Sequence, residues 1–286
     1  MSQRRELQRR SDSLADIRDL LGAMKNMAQV ESRRLAEFIE AQSAATAIVA
    51  AAWADFALDQ AAQWSVDPPP SELLCVIGSE RGFCGDLNQH LAAQAETVAA
   101  GTQVVLVGSR LAGAWEGLAA ARLPGAGFAD EVQKVLLELL AALVPLLRSS
   151  AHGAVGLSLL YLNDHGLQRR RLLPAPTSTP ATRRSHPVRL QLPPQQYLEA
   201  LLRQWLETAL GSALYEALLH ENQRRLQHME QARQRVDERL DELARMGNRA
   251  RQEEITQEIE VILLSADLQE EPLNPDRPHR QRPRAA

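Results

Sequence analysis

From Ser2 to about residue 64 the chain has no proline and a single glycine, Gly22, so nothing in that span has to end a helix. A helix of that length would run about 90 Å at about 1.5 Å per residue. A second span begins at Pro194 and continues to about Ala266, interrupted by Gly211 and Gly247 but by no further proline. Two long terminal helices around a smaller middle domain suggest a shaft.

Written as heptads, the first span puts Leu7, Leu14, Leu21, Ala28, Leu35, Gln42 and Val49 on one core position. The other takes Arg10, Ile17, Met24, Glu31, Phe38, Ala45 and Ala52. This is one thin stripe, alanine-rich after about Ala41, that seeks a partner helix. In the second span Leu226, Met229, Val236, Leu240 and Leu243 step by threes, fours and sevens, as a coiled-coil seam does. Arg233 falls on that seam and reads as a solvated residue where the seam is partly open; the charges from Arg224 to Arg251 read as a solvated face. Both seams are too narrow to be stable alone, which predicts that residues 2–64 pair antiparallel with about 205–266.

Asp67-Pro68-Pro69-Pro70-Ser71 breaks the first helix. Leu73–Ile77 and Val104–Val107 are short apolar runs, each closed by a glycine, with a helical stretch from Leu87 to about Ala100 between them. That is a βαβ pattern whose strands read as buried on both faces. A helix over about 130–149, a strand over 155–162 and a fourth strand over 167–173 complete an α/β sandwich over about 71–193.

The loop after the first strand, Gly78-Ser79-Glu80-Arg81-Gly82-Phe83-Cys84-Gly85, invites comparison with phosphate cradles. Its glycines fit neither G-x-G-x-x-G nor G-x-x-x-x-G-K-S/T, so it reads as a strand-to-helix turn. Ser79 has no G-x-S-x-G context, and the seven histidines include no H-E-x-x-H. Cys75 and Cys84 form neither a C-x-x-C pair nor a zinc pattern and read as ordinary thiols. No cofactor or metal is expected.

A formal charge of −4 supplies no bulk attraction to nucleic acid. The opening Met1-Ser2-Gln3-Arg4-Arg5-Glu6 has no signal-peptide core. The apolar run from Val135 to Leu147 is too short to span a bilayer. The basic, proline-rich residues 268–286 read as a disordered tail.

Four segments carry a resemblance to one family and occur along the chain in that family's order. Asn248-Arg249-Ala250-Arg251-Gln252-Glu253-Glu254-Ile255-Thr256-Gln257-Glu258-Ile259 closely resembles the C-terminal signature of the gamma subunits of F-type ATP synthases. Residues 17–34 retain Ile17, Ala23-Met24, Ala28 and Arg33-Arg34 of that family's N-terminal pattern, but place Asp19, Leu21 and Glu31 where it has lysine or threonine. The loop at 79–88 resembles the family's S-D-R-G-L-C-G-x-L-N, with Glu80, Phe83 and Asp86 as departures. His220 to Met229 loosely matches S-E-x-x-x-R-M-x-A-M. The departures look like those of the divergent gamma subunits of alternate, N-type rotary ATPases that move sodium ions or protons.

The resemblance implies an α/β chain: a long antiparallel coiled coil of the N- and C-terminal helices (residues 2–66 and 194–267) around a central Rossmann-like domain (71–193). It implies a non-catalytic rotor subunit that transmits torque between ion flow and the nucleotide sites of the catalytic head. The implied partners are the alpha and beta subunits, the epsilon subunit and the membrane c-ring, at the cytoplasmic face of the membrane. Carried over by position, Arg251, Gln252 and Thr256 would meet loops of the catalytic subunits. Met24 and Lys25 would face their lever region, with Arg33 and Arg34 following. A coiled-coil adaptor with an α/β head is the alternative; a nucleotide-dependent enzyme lacks any recognisable constellation.

Overall fold

The computed structural model describes residues 2–60, 71–98, 102–148, 155–174 and 190–269. Helix α1 (Ser2–Gln60) is followed by β1 (Ser71–Ile77), α2 (Leu87–Val98), β2 (Gln103–Val107), α3 (Ser109–Ala114) and β3 (Ala121–Leu123). A 3-10 turn at Ala129–Glu131 then leads into α4 (Val132–Arg148), the hairpin β4 (Val155–Asn163) and β5 (Gly166–Leu173), and finally α5 (Pro194–Gln269). The expected tail, 268–286, is helical at its first two residues, which end α5, and lies outside the described residues from 270 onward, as do residues 61–66 of the first expected helical segment. Two elements had no counterpart in the sequence reading, α3 and β3, being six and three residues long. Neither is long enough to develop a periodicity of its own.

The sheet order is β3-β2-β1-β4-β5, with β1 parallel to β2 and β4, β2 parallel to β3, and β5 antiparallel to β4. The central strands are apolar throughout because both faces are covered. Leu73, Cys75, Ile77, Val105, Val107, Leu157 and Leu159 pack with α1, α4 and α5 on one side. Leu74, Val76, Leu106 and Leu160 pack with Leu91, Ala95, Leu111 and Trp115 of the α2–α3 side on the other. Leu159 and Leu160 are at 0% and 1% exposure; truncating either to alanine is expected to cost about 2–5 kcal/mol.

The chain divides into two compact units. In the unit Leu21–Ala232, α1 and α5 run antiparallel: Lys25 pairs with Glu230, Phe38 stacks on Tyr215 at 5.4 Å, Gln42 Nε2 donates to the Thr208 carbonyl, and Phe56 meets Tyr197. In the other, which joins the start of α1 up to Leu20 to α5 from Arg233 on, Arg4 lies 3.9 Å from Glu254. There Leu7, Leu14, Leu243 and Met246 line a common groove.

One heptad position of α1 is placed as expected, since Leu7, Leu14, Leu21, Ala28, Leu35, Gln42 and Val49 are all at least half-buried. The second is placed as expected at Met24, Glu31, Ala45 and Ala52, which are buried or half-buried, and is turned by one residue elsewhere. Arg10 and Ile17 are exposed, and Phe38 is partly exposed while one side of its ring stacks on Tyr215; Ser11, Arg18 and Ile39 are the half-buried residues beside them. A side chain's neighbour one position along is only about 100° away on a helix, so a weak stripe leaves this choice to the partner surface. In α5 Arg233 is solvated as expected, and Ala232 is the half-buried residue between Met229 and Val236. Arg233 is exposed and lies 3.9 Å from Asp237. An 18-residue stretch within the Arg4–Phe56 part of α1 is apolar enough by composition to cross a membrane, and Val49 and Phe56 of α1 belong to the domain core.

Candidate functional site

The loop joining β1 to α2 is built around internal hydrogen bonds. Gly78 N–H donates to Val107 O, and Ser79 N–H donates to Asn88 Oδ1 at 3.0 Å. The Ser79 hydroxyl accepts from Asn88 Nδ2 and donates to Arg81 O, so its capacity is met within the loop. Glu80, where the family pattern has aspartate, accepts from the N–H and hydroxyl of Ser109 and from Gly125 N–H. It thereby caps α3, whose own N-cap, Gly108, has no side chain to do so. Gly108 is required there, because a Cβ would sit 2.8 Å from the carbonyl oxygens of Gly78 and Ser79.

The second half of the loop is fastened to α5. Arg225 donates from Nε to Gly82 O at 3.2 Å, from one terminal nitrogen to Asn222 Oδ1 at 2.7 Å, and from the other to Glu221 and to Cys84 Sγ. Glu221 in turn accepts the backbone N–H groups of Arg81 and Glu80. The N–H groups of Gly78, Ser79, Glu80 and Arg81, which a phosphate cradle would have to offer, are therefore all bonded to protein acceptors. Arg225 and Glu221 are each 3% exposed. Burial pushes the Glu221 carboxyl up to about 7, against the pull of Arg225 and the two N–H groups. Burial likewise raises the Cys84 thiol to about 11, with the Glu221 charge adding to it.

Helix α1 joins through Glu31, whose carboxylate accepts from Ala129 N–H at 2.5 Å where the chain enters α4. Arg81 lies over the Phe128 ring, 4.6 Å from its centroid. Between these groups lies a cleft of about 20 Å³ lined by Met24, Met27, Ala28, Glu31, Arg81, Phe128, Asn222 and Arg225. That is room for a water molecule and not for a nucleotide. Phe83 sits in the left-handed region at φ 67° with a largely exposed side chain, a conformation that costs about 1–2 kcal/mol for a residue with a Cβ.

The residues singled out by sequence fall into two groups, one in each unit. Met24 is half-buried in that cleft, and Lys25 is half-buried and paired with Glu230. Arg33 is exposed; Arg34 is exposed, 3.9 Å from Asp130 and above the Phe38 ring. Arg251, Gln252 and Thr256 are exposed on α5, and the Thr256 hydroxyl donates to the Gln252 carbonyl of its own helix. Glu31, named by sequence only as a seam residue and a departure, and Glu221, Asn222 and Arg225, named within the 220–229 segment, are the groups to which the sequence assigns no role in the site. Arg225 had been counted with the solvated face and is buried, a correction with a plain cause. It follows Glu221 by one helical turn on the face that meets the loop, and its charge is matched there. The E-x-x-x-R spacing was the available signal. Two departures also acquire partners: Asp86 accepts from Arg224 at 2.8 Å, and Glu31 holds Ala129.

Fold and site define a protein of the α/β class in which one mixed-sheet domain is inserted between two long helices and its first loop is locked to the second of them. The ATP synthase family model matches residues 3–267, and the chain belongs to the F-type ATP synthase gamma family. It is thus a component of a rotary ATP synthase complex. Among solved structures it is similar to a chain of the central stalk and c-ring of the Tetrahymena thermophila mitochondrial ATP synthase, at 15% identity and TM-score 0.52. That likeness covers 74% of this chain and 99% of that one. A chain of the Euglena gracilis mitochondrial ATP synthase, from the OSCP, F1 and c-ring assembly in rotational state 3, aligns at 13% identity and TM-score 0.49, covering 90% and 99%. No curated protein matched the chain.

Proposed function

We propose that this chain is the rotor of its complex, transmitting torque between ion flow through the membrane sector and the nucleotide sites of the catalytic head, and performing no chemistry itself. The observation that carries the reading is the family match from residue 3 to residue 267, which takes in both long helices and the domain between them. Two antiparallel helices packed on each other resist twisting better than one, and an asymmetric surface can press differently on each site around it. Turning then changes nucleotide affinity, provided the contacts differ in energy among rotary states.

In this reading Arg251, Gln252 and Thr256 meet loops of the alpha and beta subunits, and Met24, Lys25, Arg33 and Arg34 face the lever region of the catalytic subunits. Their exposed or half-buried positions on α1 and α5 are compatible with such contacts. The epsilon subunit and the c-ring are the remaining partners, and the chain works as a peripheral subunit at the cytoplasmic face of the membrane. Purification of the complex through a tagged copy tests this directly. Alpha, beta, epsilon and c subunits should co-purify in fixed stoichiometry, and ATP-driven ion transport should vanish when the chain is omitted. Recovery of the chain without catalytic subunits would refute the reading.

A further inference from the structure

We propose that Glu31, Glu221, Asn222 and Arg225 form a torsional lock, positioning residues that fix the angular setting of α5 and α1 against the α/β domain so that torque passes between them without slip. The proposal rests on the rotor reading. Its starting point is that the buried Arg225–Glu221 pair has no good explanation in stability. Taking two charges out of water costs about as much as their attraction returns, and apolar residues of equal volume often serve as well or better. What a buried, fully bonded pair supplies is geometry.

That geometry is specific. All three guanidinium nitrogens of Arg225 are engaged: two acceptors belong to its own helix, Glu221 and Asn222, and two to the loop, Gly82 O and Cys84 Sγ. Glu221 returns the connection by accepting the N–H groups of Glu80 and Arg81. Each of these bonds depends on angle as well as distance and weakens steeply when misaligned. The rest of the α5 contact with the domain is mainly the apolar face of Trp205, Leu210, Leu214 and Leu218, with single polar ties beside it: Trp205 Nε1 to the Leu172 carbonyl, Tyr161 and Asn163 to Glu216, Gln223 to Asp164 and Arg224 to Asp86. Apolar burial of that kind is non-directional, and a small rotation of the helix about its own axis changes it little. The Arg225–Glu221 set is the densest of the polar ties, with four buried or part-buried bonds to a single loop, and is where such a rotation meets the most resistance. Glu31 makes the corresponding tie from α1, bonding backbone rather than a movable side chain on the domain.

The test uses the assembled complex purified through a tagged copy, with Arg225→Ala, Arg225→Lys and Glu31→Ala compared with wild type. Three quantities are read: ATP hydrolysis rate, ions moved per ATP hydrolysed, and the width of rotary fluctuations of a bead fixed to the α/β domain of a single complex. Arg225→Ala should assemble and hydrolyse ATP while moving several-fold fewer ions per ATP, with broadened fluctuations. Arg225→Lys, which keeps the charge but not the fork of donors, should recover part of both, and Glu31→Ala should fall between. An assembled Arg225→Ala complex with a wild-type ion-to-ATP ratio and fluctuation width overturns the proposal, whatever its melting temperature. Should Arg225→Ala fail to assemble, wild-type values in both other variants overturn it equally. Failure of the wild-type chain to bring down catalytic subunits refutes the rotor reading and this proposal with it, a result separable from the others.

Discussion

Arg225 on α5 donates from its Nε to the carbonyl oxygen of Gly82, 3.2 Å away and 143 residues earlier in the chain. The bond ties the β1–α2 loop to a helix whose charges, by sequence, look like solvated surface. Its surroundings make the guanidinium indispensable once it is there. Without it, Glu221 remains buried with two backbone donors and no counter-charge.

Arg225→Ala should therefore destabilise the isolated chain by about 3–5 kcal/mol, the range for breaking one side of a buried pair. The double variant Arg225→Met with Glu221→Leu should lose much less, because it removes both charges. Urea unfolding followed by circular dichroism measures both. Equal losses in the two variants would mean that packing, not charge compensation, sets the cost.

Glu221 and Glu80 should respond to pH in opposite senses. Burial lifts Glu221 from 4.5 to about 7 in the folded chain, so its contribution is complete below about 4.5 and is lost as pH rises through about 7. For Glu80 burial also raises the value, but the Gly125 and Ser109 N–H groups, the Ser109 hydroxyl and the Arg110 charge outweigh it and leave it lowered. Its contribution is present above the ordinary carboxylate range and is lost as pH falls through the lowered value. Across a series of unfolding curves, Glu221→Gln should gain on wild type toward alkaline pH. The deficit of Glu80→Gln should shrink toward acid. Parallel stability–pH profiles for wild type and both variants would contradict these assignments.

Cys75 and Cys84 should be silent toward thiol reagents in the native chain. Burial pushes Cys75 up to about 12, and burial with the Glu221 charge takes Cys84 to about 11, so neither offers appreciable thiolate near neutrality. Titration with a chromogenic disulfide near pH 8 should detect both thiols only after denaturant is added. Fast reaction of either one in the folded protein would show that the loop opens.

Arg251 and Gln252 should matter only in the complex. Both are exposed on α5, so replacing them together by alanine should change the stability of the isolated chain by no more than about 0.5 kcal/mol. At an interface a charge-assisted hydrogen bond contributes roughly 1.5–3 kcal/mol, so the assembled double variant should move fewer ions per ATP. A wild-type ratio in that variant would make these positions ordinary solvated residues.

Several features of the fold are legible in the amino-acid order because each depends on neighbours in the chain. The long helices follow from spans without proline, and β1, β2 and β4 follow from apolar runs ended by turn residues. The hairpin's antiparallel sense did not emerge, since β5 reads Gly-Leu-Gln-Arg-Arg-Arg-Leu-Leu and only its pairing with β4 fixes its direction. β3, three residues long, exists only because Val105–Val107 are there to pair with it.

What local order left open was which face of each long helix is covered. Leu7, Leu14, Leu21 and Leu35 mark one edge of the α1 seam, but whether Ser11 or Arg10 lies beside it is decided by the opposing surface. The same holds for Arg225. A guanidinium on a charged helix costs little in water, and although Glu221 one turn earlier marks a pair, it does not reveal that Gly82, Cys84 and the amides of Glu80 and Arg81 will surround it. Helix formation is written into the sequence because backbone bonds reach four residues. Burial of a charge is decided by tertiary structure, because the loop that covers the Arg225–Glu221 pair and adds Gly82 O and Cys84 Sγ as acceptors comes from residues more than a hundred positions away.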